Sequence, residues 1–270
     1  MRVAQTNMHR FSTPARRVRT CFFVSLICAA WNLFGDVCFI DFYLAHMTFE
    51  GFGTIDHAVT ISRTGNIFDF NKAWPVKLAQ ASGWMYPIWA LTTSYPLYVG
   101  LSRAGSWRCS LAPSGLLVYG LCVVGGALHS GFAFATILPK VLQQKSIADH
   151  CANDVVRLAQ KRVMDTYVFG YTPGPIAVFS ASLWIVGVVL TCETEFPKWF
   201  VLFTPLVTLT WVAAVGFLVM PEPVGFYFVG AFGTWIILAM NIAASCVLWN
   251  LHAKDGQVEL TSAVRRRKRF

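Results

Sequence analysis

Charge is scarce in this sequence. Asp, Glu, Lys and Arg make up 13% of its 270 residues, against the ~25% usual in a soluble domain. That scarcity excludes a chain whose whole surface is solvated. The spacings that mark common metal and nucleophile sites are missing too, since there is no CxxC, HxxxH, HExxH or GxSxG. The eight cysteines (21, 28, 38, 109, 122, 151, 192 and 246) are scattered. Neither a zinc site nor a disulfide framework is indicated, and the plain reading is thiols acting as small hydrophobes. Acid is absent from residues 1–20, which carry Arg2, Arg10, Arg16, Arg17 and Arg19. Two readings fit that stretch: a cytoplasmic basic flank or an Arg-rich organelle-targeting segment. The flank is preferred because an apolar span follows at once.

What the chain has in abundance is apolar surface, 56% of residues and a mean hydropathy of +0.53. A helix of ~20 apolar residues crosses a hydrocarbon core of ~30 Å. Runs of that kind predict an all-α, polytopic membrane protein: a six-helix transmembrane bundle with spans at about 21–45, 78–101, 111–138, 176–192, 199–220 and 225–251. Basic tails, 1–20 and 252–270, flank this membrane domain. The connection from His46 to Lys77 is rich in Phe and Trp and is expected to pack on the mouth of the bundle, with a helix start at Asn71–Pro75. Pro87 and Pro96 are expected inside the second span, where they free backbone carbonyls. Gly126 with Ser130, and Ala127 with Gly131, form small-xxx-small pairs in the third span. Lys140–Thr166 reads as an amphipathic segment between spans three and four, lying along the interface. Pro221-Glu-Pro223 joins the last two spans.

Six spans put both termini on one side, together with 14 of the 22 basic residues. The positive-inside tendency then places both termini in the cytoplasm. The net charge of +9 is explained by that topology, and no basic face with interleaved aromatics points to nucleic acid. Arg265–Arg269 follows the last span closely and would attract anionic lipid at ~1 kcal/mol per basic residue.

The residues suited to chemistry lie inside the spans. Ser25, Cys28, Asn32 and Asp36 recur at three- and four-residue intervals, so they share one helix face that should look into the bundle. A bare carboxylate at membrane depth costs at least ~2.5 kcal/mol, and such a residue is a functional hypothesis with a partner expected. At 1.5 Å per residue, Asp36, His129 and Tyr86 fall at about one height in three consecutive spans. Asn241 sits slightly inward of centre in the sixth. Asp36, His129, Tyr86, Asn32 and Asn241 are therefore the candidate ligand or proton site, and Asp36 is expected to meet His129 directly or through one water. The plainer alternative is a polar pair that only holds helices together. A catalytic metal could also be built from His46, His57, His129 and His150 with Asp36, Asp41 and Asp56, without a supporting motif. No cofactor or metal is expected.

Gly35-Asp36 in a first span and Gly126-Ala-Leu-His129-Ser130 in a third resemble a family of multi-span integral membrane proteins of unknown function. The resemblance covers about the first half of the chain. It implies the same fold class and a shared interest in Asp36 and His129, and carries no reaction. The leading expectation for function is binding or translocation of a small solute or proton through this site, in a plasma, endo- or organelle membrane. The alternatives are a membrane-embedded lipid-modifying enzyme and a non-catalytic scaffold or assembly protein; an enzyme is the less favoured.

Overall fold

The structure, a computed structural model, describes residues 2–46, 81–126, 169–220 and 231–267, with Leu158, Arg162, Asp165 and Thr166 between them. Side chains are described from Arg16 to Cys38 in the first helix and as far as Leu251 in the last, Phe217 excepted. The described residues are predominantly helical, with no strand among them. We label the helices α1 (Arg2–His46), α2 (Tyr86–Leu101), α3 (Trp107–Gly125), α4 (Pro173–Thr191), α5 (Pro205–Leu218) and α6 (Phe232–Arg267).

Local chemistry sets the helix starts. Pro87 and Pro173 stand in the first turns of α2 and α4, and Pro205 opens α5. The missing N–H costs nothing at these positions. Ser106, in extended backbone, caps α3 by accepting from the Arg108 N–H at 3.3 Å. Gly105, at φ 75°, turns the chain between α2 and α3 in a left-handed conformation that glycine adopts without a Cβ penalty.

Among the described residues, four stretches are long and apolar enough to cross a membrane: Arg16–Cys38, Trp107–Gly125, Phe169–Thr191 and Phe232–Leu251. α2, with 16 residues, and α5, with 14, span only ~24 and ~21 Å at 1.5 Å per residue. The expected fifth span is divided. Lys198–Phe203 forms a 3-10 helix, Thr204 is extended, and only then does α5 begin at Pro205. Pro87 likewise starts α2, leaving Pro96 as the proline inside that helix.

α1 lies between α2 and α6, α3 packs on α2 and α4, and α5 packs on α4 and α6. Contacts along α1 fix the directions. Arg19 stacks its guanidinium over Trp249 at 4.4 Å, Ser25 meets Asn241, and Asp36 meets Thr234. Numbers rising along α1 meet numbers falling along α6, so the two helices are antiparallel, with Arg19 and Trp249 at a common end. α2 also runs against α1, since Ser25 pairs with Thr93 and Asp36 shares a cavity with Tyr86. At the Arg19 end the chain before α5 folds over α2: the Glu195 N–H donates to the Gly100 carbonyl at 2.9 Å, and the Phe196 ring fills the space where a Gly100 side chain would stand.

α3 and α4 approach through glycines. A Cβ on Gly120 would stand 2.9 Å from the Gly174 carbonyl oxygen, and one on Gly174 would stand 3.1 Å from that of Gly120. This close approach differs from the one expected at Gly126, around which a Cβ would meet nothing within 4 Å among the described residues. Ser130, Ala127 and Gly131 lie outside the described residues. So do residues 47–80, including Asn71–Pro75, the Pro221-Glu-Pro223 connection, and most of Lys140–Thr166.

The bundle is apolar outside and partly polar inside. Ile27, Trp84, Leu91, Leu183, Trp211 and Leu218 are exposed, while Ser25, Asn32, Asp36, Thr93, Thr234 and Asn241 are buried. A water-soluble protein rarely exposes so much contiguous apolar surface. Lipid as the surrounding solvent accounts for both observations.

Candidate functional site

Asp36 is placed by the helical repeat of α1. Ser25, Cys28, Asn32 and Asp36 all turn inward, none more than 6% exposed. The Asp36 carboxylate therefore faces the bundle interior, tilted along the axis toward the start of α1. There it accepts a hydrogen bond of 2.5 Å from the Thr234 hydroxyl, near the start of α6. Tyr86, on α2, lines the same cavity as Asp36, so Tyr86, Thr234 and Asp36 form a short polar relay contributed by α2, α6 and α1.

The relay borders a cavity of about 260 Å³. Its polar groups are Asp36, Tyr86 and Tyr171, and the remaining wall is apolar, with Val178, Phe179, Phe232 and Ile236 prominent. Two glycine effects shape it. The Tyr86 ring occupies the place of a side chain at Gly125, whose added Cβ would fall 2.2 Å from the ring carbon Cγ. Gly233 leaves room at the wall beside Thr234. The Trp89 ring meets Tyr86 edge-on, with centroids 5.5 Å apart.

A second polar cluster lies 11 residues back along α1, ~16 Å at 1.5 Å per residue. The Asn241 amide donates to the Ser25 hydroxyl at 2.8 Å, and Ser25 pairs with Thr93 at 2.9 Å. Asn32 stands between the two clusters, fully buried.

No protein-family model, no curated protein and no solved structure matches this chain. Its chemistry is therefore read from the site alone.

Of the residues singled out from the sequence, Asp36 and Tyr86 line one cavity. Asn32 is one turn along α1, and Asn241 belongs to the Ser25 cluster. His129 lies outside the described residues, and Thr234 is a partner of Asp36 among them. His57 and His150, with the side chains of His46 and Asp41, also lie outside them. Among the described residues no three His, Cys, Asp or Glu side chains converge on a metal position. Thr234 and Tyr171 were missed by the sequence reading. Thr234 precedes Asn241 by seven residues, which puts it ~10 Å nearer the level of Asp36. Depth alone could have found it, had hydroxyls been weighed beside charges.

The arrangement can hold one small molecule that is mostly apolar and carries one or two polar atoms. The carboxylate accepts hydrogen bonds or a positive charge, and each phenol can donate or accept. Small-molecule sites commonly combine an apolar wall with few convergent polar groups.

Proposed function

We propose that this protein crosses the membrane six times and binds or translocates a small, largely apolar solute at the Asp36 cavity. The observation that carries the reading is a cavity within the helix bundle whose polar groups, Asp36, Tyr86 and Tyr171, converge on one apolar chamber. A carboxylate that only tied helices together would need its Thr234 bond and no adjoining space. Native mass spectrometry of protein released from lipid nanodiscs tests the site. The wild type should retain a small solute, and Asp36→Asn with Tyr171→Phe should lose it. Retention unchanged in that double variant overturns the site.

The proposed topology has both termini in the cytoplasm. It is supported by the side-by-side placement of Arg19 and Trp249 and by the basic residues of the two tails. Glycosylation mapping checks it: an acceptor site placed after Phe270 should stay unmodified, and modification there overturns the orientation.

A further inference from the structure

The seam between α1, α2 and α6 holds more polar groups than its own hydrogen bonds use. Neither atom of the Asn32 carboxamide has a hydrogen-bond partner among the described residues. The same is true of the Trp89 indole N–H, the Asn241 carbonyl oxygen and the hydroxyls of Ser94 and Ser245. All five residues are at most 4% exposed. Outside these three helices, Thr208 on α5 is in the same position. A buried donor or acceptor left dry loses its water hydrogen bonds with nothing in return. Asn32, Trp89, Asn241 and Ser245, on the helix faces that meet at this seam, call for a common partner.

Their placement defines a line. Ser25, Asn32 and Asp36 share one face of α1. Tyr86, Trp89 and Thr93, at helical intervals of three and four, share one face of α2, and Thr234, Asn241 and Ser245 share one face of α6. The Ser25–Thr93–Asn241 bonds fix one level, and the Asp36–Thr234 bond fixes the other. Asn32 and Trp89 fall in the interval between. A water molecule is held inside proteins where two to four polar groups otherwise stand unsatisfied, and Asn32 offers both a donor and an acceptor.

We propose that this seam binds a file of internal water, seated on Asn32 and Trp89, which joins Asp36 to the Ser25–Thr93–Asn241 cluster and lets Asp36 exchange protons with the Arg19–Trp249 end. The ligand is water and the ion it carries is H⁺. The inference rests on the proposed function in one respect, that the bundle lies in a bilayer with Asp36 at its solute site. It adds the coupling: solute and proton meet at one carboxylate.

Radiolytic hydroxyl-radical footprinting of the full chain in lipid nanodiscs tests the file, because side chains beside bound water are oxidised even when bulk solvent is excluded. Trp89 and Phe200 are both 0% exposed. After normalising to the free amino acids, Trp89 should be oxidised several-fold faster than Phe200. Asn32→Leu should bring Trp89 down toward the Phe200 rate. Equal rates in the wild type, a result that requires no variant, overturn the file. Proton uptake into proteoliposomes under an imposed potential, read by a trapped pH dye, should fall several-fold in Asn32→Leu and in Asp36→Asn. Uptake unchanged in both variants overturns the proton role. Fast Trp89 oxidation in protein that retains no solute would refute the solute reading and leave the water file standing.

Discussion

Two helix seams in this bundle are built on opposite principles. Between α3 and α4, Gly120 and Gly174 bring backbones together, and Val124 and Val178 close the gap. The attraction at these glycines is dispersion over close contact. Along α1, α2 and α6 the interior is a column of hydroxyls, amides and one carboxylate, held by side-chain hydrogen bonds and only partly satisfied. The first arrangement is compact and inert. The second leaves groups able to bind, and it supplies Asp36 and Tyr86 to the cavity, whose opposite wall comes from Val124 of α3 and from Val178 and Phe179 of α4. A membrane interior offers little hydrophobic drive between helices. Packing therefore falls to small residues, and polar residues are left for other work.

The comparison breaks most sharply at Gly120. In Gly120→Leu the new Cβ would fall 2.7 Å from Val178 Cγ2 and 2.9 Å from the Gly174 carbonyl oxygen. Backbone cannot yield as a side chain can, so we expect a loss at the upper end of the ~1–3 kcal/mol typical of overpacking, or more. Unfolding in mixed micelles measures it, and a loss well under that range would show the α3–α4 seam to be loose.

Next in size is the relay. Thr234→Val keeps the shape and removes the hydroxyl, leaving the buried Asp36 carboxylate without that donor. A stranded group of this kind costs ~1–3 kcal/mol. Pairing it with Asp36→Leu should recover part of the loss, because the two sites are in contact and their effects should not add. Strict additivity in the same unfolding assay would mean that the Thr234–Asp36 bond contributes nothing.

A smaller effect is expected at Ser25. Ser25→Ala removes two side-chain hydrogen bonds, to Thr93 and from Asn241. Interhelical bonds of this type average ~0.6 kcal/mol with a maximum near ~1.7. If internal water replaces the lost hydroxyl, the cost should fall at the low end. The smallest effect belongs to the rim. Arg103 and Glu195 approach to 3.7 Å with side chains 58% and 33% exposed. Exposed pairs contribute at most ~1 kcal/mol, so Glu195→Gln should leave the unfolding midpoint nearly unchanged and serves as the reference for the other three.

The polar face of α1 was legible because four residues at helical spacing in an apolar run have one economical explanation. Hydropathy could not separate α5 from the 3-10 turn before it, since Lys198–Phe203 is as apolar as the helix; Pro205 was the available signal, read together with the extended Thr204 before it. The Gly120–Gly174 contact was hidden for another reason. Glycines abound in α3, and which of them meets a partner depends on the rotation of α4, which no local pattern specifies. Tyr171 was read as part of a break before the fourth span. Its position near the first turn of α4 instead carries its ring to the cavity wall.

Gly125 has a further consequence through Tyr86. With the ring seated where a side chain would otherwise stand, and with Trp89 against its edge, the tyrosine has little rotameric freedom to lose. Immobilising a free side chain at a binding site costs ~0.5–1.5 kcal/mol on association. Here that ordering is accomplished during folding, so an arriving solute meets a preorganised phenol. Enlarging Gly125 would drive its Cβ into the base of the Tyr86 side chain, and we expect it to cost both stability and affinity at the cavity.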